Sequence, residues 1–485
     1  MVNIALIIGT SSYGKDILSK APWVSKLDSN HHVFVASRVK PKSHLNDDLK
    51  ILIGDEEFDK INSAFDNLSR NAKMTFLYDS QFLHEYSEKE KEDMEKWLGI
   101  SFRYISSFSR LFYDRSKYKD SRNQNKLNDY IVGLISFYKN FFIENDVDLM
   151  INTLEDTTFS VVSFFTARRL GIKVVSIFPS RFPKPGFSFN ENFNEVLFWN
   201  DKTTNIDTVR QLYSSKTITG EKVLSENVKY WKFKSIPRRL DSIRYLYRYN
   251  KFKKNLLKKY PEEFYCFYNQ NIMDIIYKYL IGLIRISLIK LVIKDPNLND
   301  NFFFFPLHYT ADAQITFKEP MLDQIDLCKK ISRALPNNCN LYIKPHPHYF
   351  GSDTNFKEIY GLSKFTNIKI IHPSVPPQNL IKNAVGVITI NSTSGFEALI
   401  METPVISFGH DFYCKEDLCF IVRDLNELSE ILLKILNGEG KSKEYITKFI
   451  CSTHVNTIFI SNYEEPSDED WTKIANGFDK MLSSI

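Results

Sequence analysis

The sequence has no CxxC pair. Its six cysteines, Cys266, Cys328, Cys339, Cys414, Cys419 and Cys451, are scattered singly along the chain, which argues against a structural zinc site and a disulfide framework and points to reduced, cytosolic thiols. No basic stretch precedes the first apolar run and no small-residue cleavage site follows it, so "MVNIALIIGTSSYGKD" reads as an opening strand and not as an export signal. No apolar run is clean enough to span a bilayer. The best, residues 275–294, is interrupted by Lys278, Arg285, Lys290 and Lys294 and suits a helix lying on a surface. Neither GxGxxG nor the Walker A spacing follows the first strand, where "GTSSYGKD" stands instead; that lowers the expectation of a dinucleotide or ATP, with Ser11 kept as a candidate substrate contact. The charge excess is small, +5 over 485 residues, so a polyanion would have to be held by a local cluster and not by the field of the whole molecule.

What is present is a globular composition, 43% hydrophobic and 25% charged, in a chain too long for one core and suited to two domains. In the first two hundred residues "IALIIG", "HVFVAS", "MTFLYD", "DLMINT", "KVVSIF" and "EVLFW" alternate with helical patterns. A second series starts near residue 302 with "FFFFP", "NLYIKP", "IKIIH", "VGVITI", "PVISFG" and "CFIV". Such alternation predicts parallel sheets with crossover helices. The expected architecture is α/β, with two Rossmann-like domains facing a cleft. Residues 1–200 form the first and 301–465 the second, a basic, aromatic helical insertion at 201–300 lies between them, and a helix in 466–485 packs back on the first. In open parallel sheets ligands bind beyond the carboxyl ends of the strands, so motifs at strand ends carry the functional weight.

Three motifs stand at such ends. In "LYIKPHPHYF" the strand runs out at Lys344, and Pro345 and Pro347 stiffen the turn that presents His346 and His348. An imidazole beside an ammonium suits a phosphate; a solvated proline turn is the plainer alternative. No cysteine or carboxylate pair completes a metal set there, and neither metal nor cofactor is expected. His372-Pro373 repeats the pair at another strand end, and His308 follows "FFFFP". In "NSTSGFEALI", Asn391, Ser392, Thr393, Ser394 and Gly395 open a helix, where free N–H groups, hydroxyls and the helix dipole favour an anion. Capping alone needs one hydroxyl. Glu397, one turn on, faces either ribose hydroxyls in the cleft or solvent. In "INTLEDTTFS", Glu155 and Asp156 follow a strand of the first domain; one of them suits a general base, and helix capping is the plainer use. Residues 229–259 add twelve basic residues against one acidic residue, Asp241, interleaved with aromatics. That pattern suits an anionic membrane surface or glycan, and nucleic acid less.

Together these stretches resemble the capsule and surface polysaccharide glycosyltransferases of GT-B fold, a group that includes bacterial Kdo transferases and lies near the bacterial polysialyltransferases. "FFFFPLHYTADAQITF", the segment leading to the His-Pro pair, and "NSTSGFEALIMETPVISFGHDFY" carry the resemblance over 302–413, with a thinner likeness over 148–187 and no legible match in 200–300. It implies a CMP-activated acidic sugar, Kdo or sialic-acid-like, as donor and a surface glycan or glycolipid as acceptor. By the same likeness Lys344, His346, Pro347, Ser392 to Gly395 and Glu397 bind the nucleotide, and Glu155 or Asp156 supplies the base. A cytoplasmic enzyme, held at the inner face of the membrane through 229–294 and without nucleic acid, is expected. Two departures stand out: Thr157 follows the acidic pair where the polysialyltransferase pattern has glycine, and Glu402-Thr403 precedes Pro404 where relatives usually have glycine. The alternatives are a teichoic-type transferase using a CDP donor, a UDP-sugar epimerase, or a non-catalytic glycan- or membrane-binding scaffold.

Overall fold

The computed structural model describes residues 2–8, 15–37, 55–77, 79–82, 84–108, 121–152, 158–214, 247, 251, 281, 284–285, 287–309, 312–346, 356–463 and 465–484. The strands described are β1 (Asn3–Ile8), β2 (His32–Ser37), β3 (Ala72–Phe76), β4 (Leu149–Ile151), β5 (Lys173–Pro179), β6 (Gly186–Glu191), β7 (Glu195–Val196), β8 (Ile293–Lys294), β9 (Phe302–Pro306), β10 (Asn340–Lys344), β11 (Ile368–Ile371), β12 (Gly386–Thr389), β13 (Val405–Ser407), β14 (Phe420–Ile421) and β15 (Ile458–Phe459). They form two sheets, in the orders β15-β6-β5-β4-β1-β2-β3, with β7 on β6, and β14-β13-β12-β9-β10-β11-β8. The second sheet is parallel throughout. The first is parallel from β5 to β3 and antiparallel where β6 joins β5, β7 and β15. Two Rossmann-like α/β domains result, the GT-B architecture.

A strand covered by helices on both faces reads as an unbroken apolar run, and β9 is such a strand. Phe302, Phe303, Phe304 and Phe305 are all fully buried. Phe303 and Phe305 join the core containing Leu327 and Ile331 of the helix Gln324–Ala334, whereas Phe302 and Phe304 join the core containing Phe396 and Leu399 of the helix Thr393–Ile400. Truncating any of them to alanine would cost about 3–5 kcal/mol. β1 divides its side chains in the same way, Ile4, Leu6 and Ile8 to one core and Ala5 and Ile7 to the other.

Three strands lie outside the expected set. β6 starts at Gly186, where a Cβ would meet the carbonyl oxygen of Ile458 at 2.7 Å, so glycine is what lets β15 approach. "EVLFW" contributes only Glu195–Val196 as strand. β8 lies within 201–300, as does the helix Ile206–Ser214, whose Val209 and Tyr213 are buried in the core of the second domain. The return of the chain to the first domain begins at Ile458, within 301–465, because β15 pairs with β6. The helix Asp468–Ser484 then buries Ile474, Phe478 and Met481 against the first sheet, with Phe478 at 5.2 Å from the Trp23 ring. Asn456 secures the crossing, its Oδ1 accepting the backbone N–H of Trp199 at 2.7 Å and of Asn200 at 2.8 Å. Most of the basic stretch 229–259 lies outside the described residues. Among the described residues no helix is long and apolar enough to cross a membrane.

Candidate functional site

β9 is the first long strand of its sheet, with β10 on one side and β12 on the other. Successive connections therefore leave it in opposite directions, and the crevice opens where β9 meets β12. Since β13, β12, β9, β10 and β11 run parallel, their carboxyl ends line up. His308 follows β9, Lys344 and His346 close β10, His372 follows β11, and Asn391 to Ser394 follow β12. Gly409 to Asp411 follow β13. One sheet edge thus gathers every candidate of the second domain that the structure describes.

The helix Thr393–Ile400 meets this edge with its amino end. Ser392 is its N-cap, with an extended backbone and Oγ accepting the Ser394 N–H at 3.3 Å. The Tyr413 hydroxyl donates to the Ser392 carbonyl at 2.5 Å, and a Cβ on Gly395 would stand 2.5 Å from that hydroxyl. Gly395 therefore has a packing reason to be glycine: it lets the tyrosine brace the turn. Thr393 Oγ1 accepts a hydrogen bond from Arg181 at 3.2 Å, across the interface between the domains.

Lys344 is 6% exposed and makes no hydrogen bond or ion pair among the described residues. Burial pushes its ammonium down to about 8, against the pull of the Glu397 carboxylate. Side chains two apart on a strand share a face, so Lys344 points with Tyr342 toward the helix that carries Glu397; Tyr342 lies in the same core as Phe396. Glu397 is buried and accepts from Gln378 at 3.3 Å. Burial, followed by the charges of Lys290 and Lys344, lowers the pKa of His372. The His346 ring stands 5.6 Å from Tyr309, edge to face. His308 is buried, with Nδ1 at 2.9 Å from Asp312 Oδ2 and no hydrogen-bond partner for Nε2 among the described residues. Burial pushes the Asp312 carboxyl up, but the His308 hydrogen bond and the charges of His308 and His346 hold it below the ordinary value.

Glu155, Asp156, Pro347, His348 and Ser11 lie outside the described residues. The segment carrying the acidic pair is bracketed by a buried polar link: Asn152, just after β4, donates to Ser163 Oγ at 3.1 Å and accepts from Ser160 Oγ at 3.0 Å. In strand order β4 neighbours β1 at the switch point of the first sheet, where ligands of such sheets bind. Sequence reasoning missed Arg181, Lys318, Asp411, Asp312 and the pair His410–Glu319 at 2.6 Å. Only Asp312, four residues after His308, carried a local signal. Among the described residues there is no group of three or more His, Cys, Asp or Glu able to hold a metal ion.

The edge can bind an oxyanion with Lys344, the N-terminal turn at Ser392 to Ser394, and the imidazoles beside them. Residues 231–420 match the model of the family described as "Capsule polysaccharide biosynthesis protein", and over that region the chain is similar to it. The match begins inside 200–300, where no motif was legible, and ends before the return to the first domain. Protein FixF of Sinorhizobium fredii is 31% identical over 140 residues, 28% of this chain and 33% of that protein. The chain thus matches about a third of the length of that curated relative. Among solved structures, the beta Kdo 2,7 transferase of Thermosulfurimonas dismutans KpsC is 21% identical with a TM-score of 0.26, covering 41% of this chain and 67% of its own. The S. aureus MnaA–UDP co-structure is 11% identical with a TM-score of 0.28, covering 100% of this chain and 98% of its own. Both likenesses are loose, and neither assigns an activity to this chain.

Proposed function

We propose that the protein is a glycosyltransferase that moves an acidic sugar, Kdo or sialic-acid-like, from a CMP-activated donor to a surface glycan or glycolipid. The observation that carries this reading is the buried Lys344, without a hydrogen-bond partner among the described residues and within reach of the charge of Glu397 on the helix Thr393–Ile400, at the sheet end where that helix begins. A buried cation left unpaired costs free energy in the empty protein, and a phosphate would offset that cost. His346 and the Ser392 and Ser394 hydroxyls would add hydrogen bonds to the same oxyanion, and Glu397 would take the ribose.

In the reaction an acceptor hydroxyl attacks the anomeric carbon, the bond from that carbon to the phosphate oxygen breaks, and CMP leaves with the electron pair. Lys344 and the helix terminus stabilise the charge that gathers on the phosphate. Glu155 or Asp156 takes the hydroxyl proton; acting as base it gives inversion, and acting as nucleophile it gives retention. The segment 229–294 would hold the enzyme at an anionic membrane surface, near a glycolipid acceptor.

Thermal unfolding of the purified chain with saturating CMP, CDP, UMP, UDP or ADP tests the donor, because a ligand that binds the native state raises its midpoint. A shift selective for CMP is expected, and a shift selective for UDP or CDP would replace this reading by an epimerase or a polyol-phosphate transferase. Asp156→Asn and Glu155→Gln should lower turnover, one of them by about 100-fold or more, with CMP affinity retained. Full turnover in both variants would remove the acidic pair from the mechanism.

A further inference from the structure

We infer that Arg181, from the first domain, is a direct ligand of the oxyanion bound at the second domain's sheet edge, so that the bound anion itself clasps the two domains. The inference rests on the proposed nucleotide site and adds to it a residue from the opposite domain.

Arg181 follows β5 of the first sheet and is docked on the helix Thr393–Ile400 by its surroundings. Tyr213 donates to its carbonyl at 2.7 Å, and its neighbour Phe182 is buried with its ring 5.5 Å from Phe396 on that helix. The guanidinium is thereby delivered to the first turn, where one of its nitrogens donates to Thr393 Oγ1 at 3.2 Å. A guanidinium has five N–H donors in a planar fork, and this is the one side-chain hydrogen bond it makes among the described residues.

Asp411 stands nearby, with Oδ2 3.8 Å from Arg181, beyond hydrogen-bond reach. Its charge is already met by Lys318 at 2.8 Å, in a pair whose two side chains are each 2% exposed. Arg181 and Lys318 thus share one carboxylate, with Arg181 the more distant of the two, so one positive charge of the three groups is left over, and the Arg181 side chain keeps a quarter of its surface open. Lys344 contributes a second surplus charge on the sheet face that the same helix covers. Two cations from two domains, neither fully used, flank one helix, Arg181 at its first turn and Lys344 within reach of the charge of its Glu397, and a fork with free parallel N–H groups matches the oxygens of a phosphate or a carboxylate. Both groups belong to an acidic-sugar nucleotide, so the shared chemistry is an oxyanion.

The test is calorimetric titration of the full chain and of Arg181→Ala and Arg181→Lys with CMP, CDP, UMP and UDP, each against its nucleoside, and with free Kdo. The expected result is a loss of roughly 10- to 100-fold in nucleotide affinity for Arg181→Ala, partial recovery for Arg181→Lys, and unchanged nucleoside affinity. Dependence on Arg181 with Kdo but not with CMP would assign the fork to the carboxylate and keep the inference. Equal loss for nucleotide and nucleoside, or undiminished nucleotide affinity, would overturn it while leaving the nucleotide site standing. Arg181-dependent binding of UDP in place of CMP would uphold the inference and reject the CMP donor, and no binding of any probe by the unaltered chain would reject both.

Discussion

Tyr342 and Lys344 stand two residues apart on β10, on the same face of the same sheet, in opposite electrostatic surroundings. The Tyr342 hydroxyl donates to Asp300 Oδ2 at 2.6 Å and accepts from the Asn297 N–H at 3.3 Å, and Lys369 of β11 pairs with the same Asp300. The hydrogen bond from Lys369, followed by that from Tyr342, holds the Asp300 carboxyl below its ordinary range, and the bond to Asp300 in turn raises Lys369. Each polar group there has a partner. Lys344, at the carboxyl end, has burial and a distant carboxylate, and its ammonium is pushed down where that of Lys369 is pushed up. The difference teaches that this sheet closes its polar cluster at Asp300 and leaves Lys344 without a hydrogen-bond partner at the carboxyl end, where the proposed oxyanion would sit.

The comparison is most severely tested at a third lysine. Lys318 and Asp411 form a pair with almost no exposure, with Arg181 3.8 Å from the other carboxylate oxygen, so Lys318→Met removes the cation that hydrogen-bonds the buried carboxylate and should lower the unfolding free energy by about 3–5 kcal/mol. Denaturant titration reads this directly; a loss under about 1 kcal/mol, by the same kind of estimate, would mean that closed clusters do not carry stability here.

Lys344→Met should do the reverse. With the ammonium lowered from 10.5 to about 8, the ligand-free protein carries a burden on the order of 3 kcal/mol at neutral pH, and methionine of similar length removes it while nucleotide binding is lost. The sign follows from proton counts. Below pH 8 both folded and unfolded states hold the proton and the full cost applies; between about 8 and 10.5 the unfolded state binds more protons, so stability rises with pH. The difference in unfolding free energy between Lys344→Met and the unaltered chain should therefore shrink across that window. A flat difference would show that Lys344 is not the group responsible. Anion binding should oppose the depression, so nucleotide affinity should fall as pH rises past about 8.

Much of this was legible because the cause was local. "FFFFP" and "NLYIK" announce strands buried on both faces, and four small polar residues before "FEALI" announce a helix amino terminus. β6 escaped because "GFSFNE" follows a proline-rich run and opens on glycine, both ordinary marks of a loop; its strand character comes from β5 and from β15, more than 250 residues away. Arg181 escaped for the same reason. Nothing in "PSRFPKP" distinguishes it until the two domains dock and Thr393 meets it. Lys344 was legible as a residue at a strand end, but its isolation was not, since a missing partner is a property of everything packed around it.

The smallest effect is expected where the chain departs from glycine before Pro404. Glu402 has a φ of 60°, a left-handed conformation that costs a non-glycine residue about 1–2 kcal/mol. Its carboxylate meets Arg210 and, at 2.5 Å, Lys443, and the hydrogen bond from Lys443 is the main cause of its lowered pKa. The Lys443 side chain is 80% exposed, so the pair contributes at most about 1 kcal/mol and is screened by salt. Glycine would relieve the strain, lose both contacts and cost about 0.5–1 kcal/mol through the freedom it adds to the unfolded chain. The terms nearly cancel, and Glu402→Gly should change stability by less than about 1 kcal/mol, moving in the variant's favour as salt rises from roughly 0.05 to 1 M. A loss above about 2 kcal/mol at high salt would mean that the Arg210–Glu402–Lys443 contacts are as closed as the Asp300 cluster, despite their exposure to water.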